Sequence, residues 1–97
     1  MSYYEKFNMD KAVELQLIYK KKRQREKERF ISELILYQNN LNDTSIVGIN
    51  ITLVHHYNMK TVESVLSDLN YKLRLFSEKK NVRDHSKSIT FSFISKY

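Results

Sequence analysis

Cysteine, proline and tryptophan are missing from these 97 residues, and glycine occurs once, at position 48. Without cysteine no disulfide and no thiolate metal site can form, so a reducing cellular interior is the natural setting. One glycine excludes the glycine-rich loops that cradle phosphates, and no Gly-x-Ser-x-Gly elbow is present. Without proline, turns fall to Asn, Asp and Ser, and the chain holds eight asparagines. No apolar run approaches the ~20 residues that span a bilayer, and residues 1–6 lack a secretory leader pattern. The expectation is a soluble, cytoplasmic protein with no membrane partner, no cofactor and no catalytic activity.

What the chain does have is charge concentrated in one place. The run Lys20-Lys21-Lys22-Arg23-Gln24-Arg25-Glu26-Lys27-Glu28-Arg29 carries seven basic and two acidic residues, a charge of +5 in a chain whose total is +6. Apolar residues at 41% and aromatics at 12% are enough for a folded core. The bias toward Asn, Lys, Ile and Tyr suits an AT-rich genome, an association with phage or plasmid origin and hence a host cytoplasm.

Helical periodicity runs from Met9 to Leu41. Met9, Val13 and Leu17 share one stripe, and Phe30, Ile31, Leu34, Ile35 and Leu41 continue it beyond the basic run. Lys, Arg, Gln and Glu are all good helix formers, so nothing in that run stops a helix. A continuous helix over residues 10–41 would measure about 48 Å. A domain of this size is only about 30–35 Å across. The helix therefore either breaks, or projects with its N-terminal end against something else.

Beyond it, Val47, Ile49, Ile51 and Leu53 alternate with polar or small residues as a strand, with Gly48 marking a bulge or a close backbone approach. Asn58 caps a helix with the stripe Met59, Val62, Val65, Leu66 and Leu69, and Asn70 suits a left-handed stop. A strand follows with Tyr71, Leu73 and Leu75 on one side and Lys72, Arg74 and Phe76 on the other. A polar loop, residues 77–88, then leads to a last strand with Ile89, Phe91 and Phe93 facing one way. The expected fold is α+β in one domain: a long N-terminal helix, then β-α-β-β, with a three-stranded mixed sheet and helices on one face.

Chemistry is sparse. His55 and His56 are neighbours whose side chains leave in opposite directions, and His85 lies in the loop, so no metal site is expected. Asp68 followed by Glu78-Lys79-Lys80 has the loose spacing of a metal-dependent nuclease, but those carboxylates need adjacent strands and Asp68 falls on a helix.

Binding remains. Lys20, Lys21, Lys22, Arg23, Arg25, Lys27 and Arg29, with Lys79, Lys80, Arg83 and Lys87 of the loop, are candidates to contact nucleic acid or a ribonucleoprotein, because cations that displace counterions from phosphates gain affinity. A solvated helix face is the plainer account of the same charge. The alternative function is a protein-interaction module: a small inhibitor of a host protein, or a homodimer. Met9, Val13, Leu17 and Tyr19, with Tyr3, Tyr4 and Phe7 nearby, would form that interface.

Overall fold

A computed structural model describes residues 6–41 and 46–96. The expectations attached to Tyr3 and Tyr4 lie outside these residues. Among the described residues the fold is α+β, with three helices and a three-stranded antiparallel sheet. Its order is α1 (Met9–Lys21), α2 (Arg25–Asn39), β1 (Ile51–Leu53), α3 (Met59–Asp68), β2 (Tyr71–Lys80) and β3 (Lys87–Ser95).

The long helix is two helices. The first ends in a Schellman turn without glycine: the Arg23 N–H donates to the Lys20 carbonyl at 3.2 Å and the Gln24 N–H to the Tyr19 carbonyl at 2.9 Å. Arg23 takes the left-handed conformation this turn needs, at φ 55°. The chain then reverses and α1 lies along α2, with Gln16 Nε2 donating to Ser32 Oγ across the pair at 2.7 Å. The physical reason is burial. An unbroken 9–41 helix would exceed the molecule's longest extent of 44 Å and strand its apolar end. Folding back instead buries Ala12, Leu15 and Tyr19. The buried face of α1 is thus 12-15-19, not the 9-13-17 stripe that periodicity suggests.

The sheet order is β1-β3-β2, and both outer strands pair antiparallel to β3. β1 and β2 do run in the same direction, as a helical crossover requires, but β3 lies between them, so the sheet is not mixed. This is a split β-α-β arrangement. β1 is shorter than its periodicity suggests: Ile51 and Leu53 are buried, but Ile49 is exposed. Gly48 sits in a turn at φ 84°, and a side chain added there would meet no atom within 4 Å, so its backbone conformation, not close packing, calls for glycine.

The pairing of β2 with β3 shifts between Leu73 and Leu75, leaving Arg74 as the extra residue of a bulge. That one residue exchanges the two sides of the strand. Phe76 packs against the core and Leu75 is 55% exposed, the reverse of the alternation expected. The strands also continue past Phe76, so Lys79, Lys80 and Lys87 sit on a β-ribbon whose turn spans only residues 81–86.

The core joins the layers through aromatic rings. Phe30 of α2 lies 5.3 Å from Tyr57 and 5.5 Å from Phe91, and Phe7, just before α1, stacks on Tyr71 at 6.1 Å. Aliphatic Ile31, Leu34, Val62, Val65 and Leu66 fill the space between helices and sheet, each fully buried.

Candidate nucleic-acid interface

The basic run becomes the apex of the α1–α2 hairpin. Residues 20–25 hold Lys20, Lys21, Lys22, Arg23 and Arg25 with no carboxylate, and all are exposed. Among the described residues, no hydrogen bond or ion pair engages any of these five side chains; the ion pairs present belong to His55 and His56. The apex is therefore a dense positive surface without internal neutralisation. Gln24, at the N-cap of α2, makes no side-chain capping bond.

The other two cations of the run are spent on the fold. Lys27 Nζ stands 5.7 Å from the centre of the Tyr19 ring, and the Arg29 guanidinium 5.2 Å from that of Tyr57. The run's first carboxylate is also committed: Glu26 Oε1 accepts from the Asn58 N–H at 3.1 Å and Oε2 from the Thr61 hydroxyl at 3.0 Å. Glu26 thus caps α3 and pins the start of α2 to it. It forms no ion pair with an apex cation among the described residues.

Beside the apex is a hollow of about 440 Å³ whose lining includes Lys11, Glu14, Lys22, Lys27 and Asp68. Three cations against two carboxylates give it no strong preference for an anion. At its edge Tyr19 donates its hydroxyl to Asp68 Oδ2 at 2.6 Å. Burial first, and then that carboxylate, push the Tyr19 phenol above the ordinary tyrosine range.

The second group of cations lies on the β2–β3 ribbon, at the end away from Tyr71. Lys79, Lys80, Arg83 and Lys87 are exposed, with Glu78 and Asp84 among them. The ribbon tip is shaped by its own polar side chains. Asn81 Oδ1 accepts from the Arg83 N–H at 3.0 Å, and Asp84 Oδ1 accepts from the Ser86 hydroxyl at 2.7 Å and N–H at 3.0 Å. These Ser86 donors, the hydroxyl foremost, hold the Asp84 carboxyl below its usual range, so it stays charged and offsets part of the ribbon's positive charge. Apex and ribbon are carried by different elements, and no hydrogen bond or ion pair joins them among the described residues.

The proposed protein-contact patch is divided. Tyr19 is 2% exposed and belongs to the core, and Met9 packs against that core. Val13 and Leu17, one turn apart, stay 42% and 57% exposed. The histidines diverge: His55 Nδ1 meets Glu33 Oε1, whose other oxygen accepts the Tyr57 hydroxyl, while His56 Nε2 points toward Glu78 at 3.9 Å. Burial, and next its bond to Glu33, raise the Tyr57 phenol above its ordinary range, with Arg29 acting in the opposite direction. Asp68 ends α3 beside the start of β2, whereas Glu78 pairs with Ile89 well along that strand, so the two carboxylates of the nuclease-like spacing are not brought together. No group of three or more His, Cys, Asp or Glu residues stands close enough to hold a metal among the described residues. No described helix is long and apolar enough to cross a membrane.

Two structural features leave no motif in the sequence, the capping role of Glu26 and the left-handed Arg23. The only hint of either is the mismatch between helix length and domain size. No protein-family model, curated protein or solved structure matches this chain.

Proposed function

We propose that this chain is a small non-enzymatic protein of the cytoplasm that binds nucleic acid, or a nucleic-acid–protein complex, through the apex of its α1–α2 hairpin, with the β2–β3 ribbon as a second, weaker contact. One observation carries the reading: five exposed cations within six residues, none with a partner of its own among the described residues. Such charge repels itself in the free protein, and releasing counterions from a phosphate backbone is the common way to turn it into affinity. The ribbon adds four cations against two carboxylates, which makes it the weaker arm. In a gel-shift titration at low salt the wild type binds duplex or RNA, and a variant with Lys20, Lys21, Lys22 and Arg23 changed to Gln loses most of that binding. A wild type that shifts neither probe defeats the proposal.

Exposure of Val13 and Leu17 favours a second reading, a protein partner or a second copy on the outer side of α1, as in a phage or plasmid protein that inhibits a host factor. A Val13→Asp, Leu17→Asp variant then folds but loses that association. Sedimentation showing a monomer in both proteins excludes the homodimer.

A further inference from the structure

The α1–α2 apex contains a residue that the fold alone does not account for. The C′ position of a Schellman turn calls for a left-handed backbone, which glycine adopts freely and asparagine tolerates. At the end of α3 the chain meets that need with Asn70, at φ 66°. At the end of α1 it places Arg23 there, at φ 55°. A residue with a long, unbranched side chain gains nothing from this conformation and carries its strain. Nor does the side chain repay that strain inside the molecule, since it is exposed and makes neither hydrogen bond nor ion pair among the described residues. It stands in the turn between α1 and α2, with Lys20, Lys21 and Lys22 before it in the chain and Arg25 after it.

We infer that Arg23 is the principal phosphate-contacting residue of this protein, holding a backbone phosphate of the bound nucleic acid with its guanidinium fork while the flanking lysines act as diffuse charge. The inference rests on the nucleic-acid reading above. Arginine presents several donors in a planar array that fits a phosphate in two-point contact, which a lysine cannot reproduce. Strain in the free protein is then offset outside it, when a ligand is bound.

The test sets Arg23→Gly against Lys21→Gln, which removes the same charge from an unstrained neighbouring position. Arg23→Gly relieves the backbone and raises the thermal midpoint by about 3 °C. It also weakens binding to a short duplex about tenfold, the scale of one lost charge-assisted contact. Lys21→Gln leaves the midpoint within about 1 °C and weakens binding only about twofold to threefold, because a solvated charge is screened. Arg23→Lys, which keeps charge and strain but loses the fork, binds like Arg23→Gly more than like wild type. Equal losses for Arg23→Gly and Lys21→Gln overturn the inference while leaving the nucleic-acid reading intact. A midpoint that does not rise in Arg23→Gly also overturns it, because the strain it rests on is absent. No binding by the wild type removes the broader reading and this one with it.

Discussion

Replacing Glu26 separates the fold's need for a carboxylate from the surface's need for positive charge. Its two oxygens accept from the Asn58 N–H and the Thr61 hydroxyl, and no other described side chain caps α3 from outside its own segment. Each bond is worth about 0.5–1.5 kcal/mol net, and the lower half of that range applies at this exposed site. A negative charge at a helix N-terminus adds about 0.3–1 kcal/mol. Glu26→Ala loses all three contributions, about 1.3–3 kcal/mol, which lowers the midpoint of a domain this size by about 6–15 °C. Glu26→Gln keeps one acceptor and loses the charge, for about half that effect. Thr61→Val removes one bond, so a double-mutant cycle combining Glu26→Ala with Thr61→Val should return a coupling near ~0.5 kcal/mol. Urea denaturation of the wild type, the two single variants and the double variant measures it. Because either Glu26 variant also makes the apex more positive, both should bind duplex more tightly than wild type despite being less stable. Additive losses refute the capping geometry, and unchanged or weaker duplex binding by a folded Glu26→Gln protein refutes the claim that the apex is the binding surface.

Two other expectations concern register and pH. Leu75→Lys should be neutral within about 0.5 kcal/mol in chemical denaturation, while Phe76→Ala costs about 1–3 kcal/mol; the reverse order would place the bulge elsewhere. Tyr19 and Tyr57 both have phenols raised above the ordinary value of 10 by burial and a carboxylate partner. The folded state then holds protons that the unfolded state releases, so stability is complete below pH 10 and falls as pH rises beyond it. Urea midpoints between about pH 8 and pH 11 should show a shallower alkaline loss in Tyr19→Phe than in wild type, and equal slopes would discount the burial of that hydroxyl.

Much of the architecture is legible in the residues. Val62, Val65, Leu66 and Leu69 mark the buried face of α3, and Ile89, Phe91 and Phe93 that of β3, because burial on one side imposes periods of about 3.6 and 2. Asn58 caps α3 through its side chain, accepting from the Lys60 N–H at 2.9 Å, and Asn70 ends it left-handed. The break at Arg23 is legible only as an excess of length. Every residue from Lys20 to Arg29 favours helix locally, and tertiary burial of Ala12, Leu15 and Tyr19 overrides that preference. The bulge at Arg74 leaves no trace either, since Leu75 and Phe76 are both apolar and either could face inward. Strand order depends on which edges meet in space, which alternation along one strand does not encode. Of the candidate binding surface, composition locates the cations. It does not tell the five that remain free from Lys27 and Arg29, which cover tyrosine rings.

The central claim is that the hairpin apex binds a phosphate backbone. The dependence of duplex affinity on salt tests it most directly, read as the slope of log K against log salt concentration. Five apex cations without partners among the described residues contribute about −4 to −5 to the wild-type slope, and changing Lys20, Lys21, Lys22 and Arg23 to Gln makes the slope shallower by about 3 to 4. A wild-type slope near zero, or one that the four substitutions leave unchanged in a folded protein, contradicts the account.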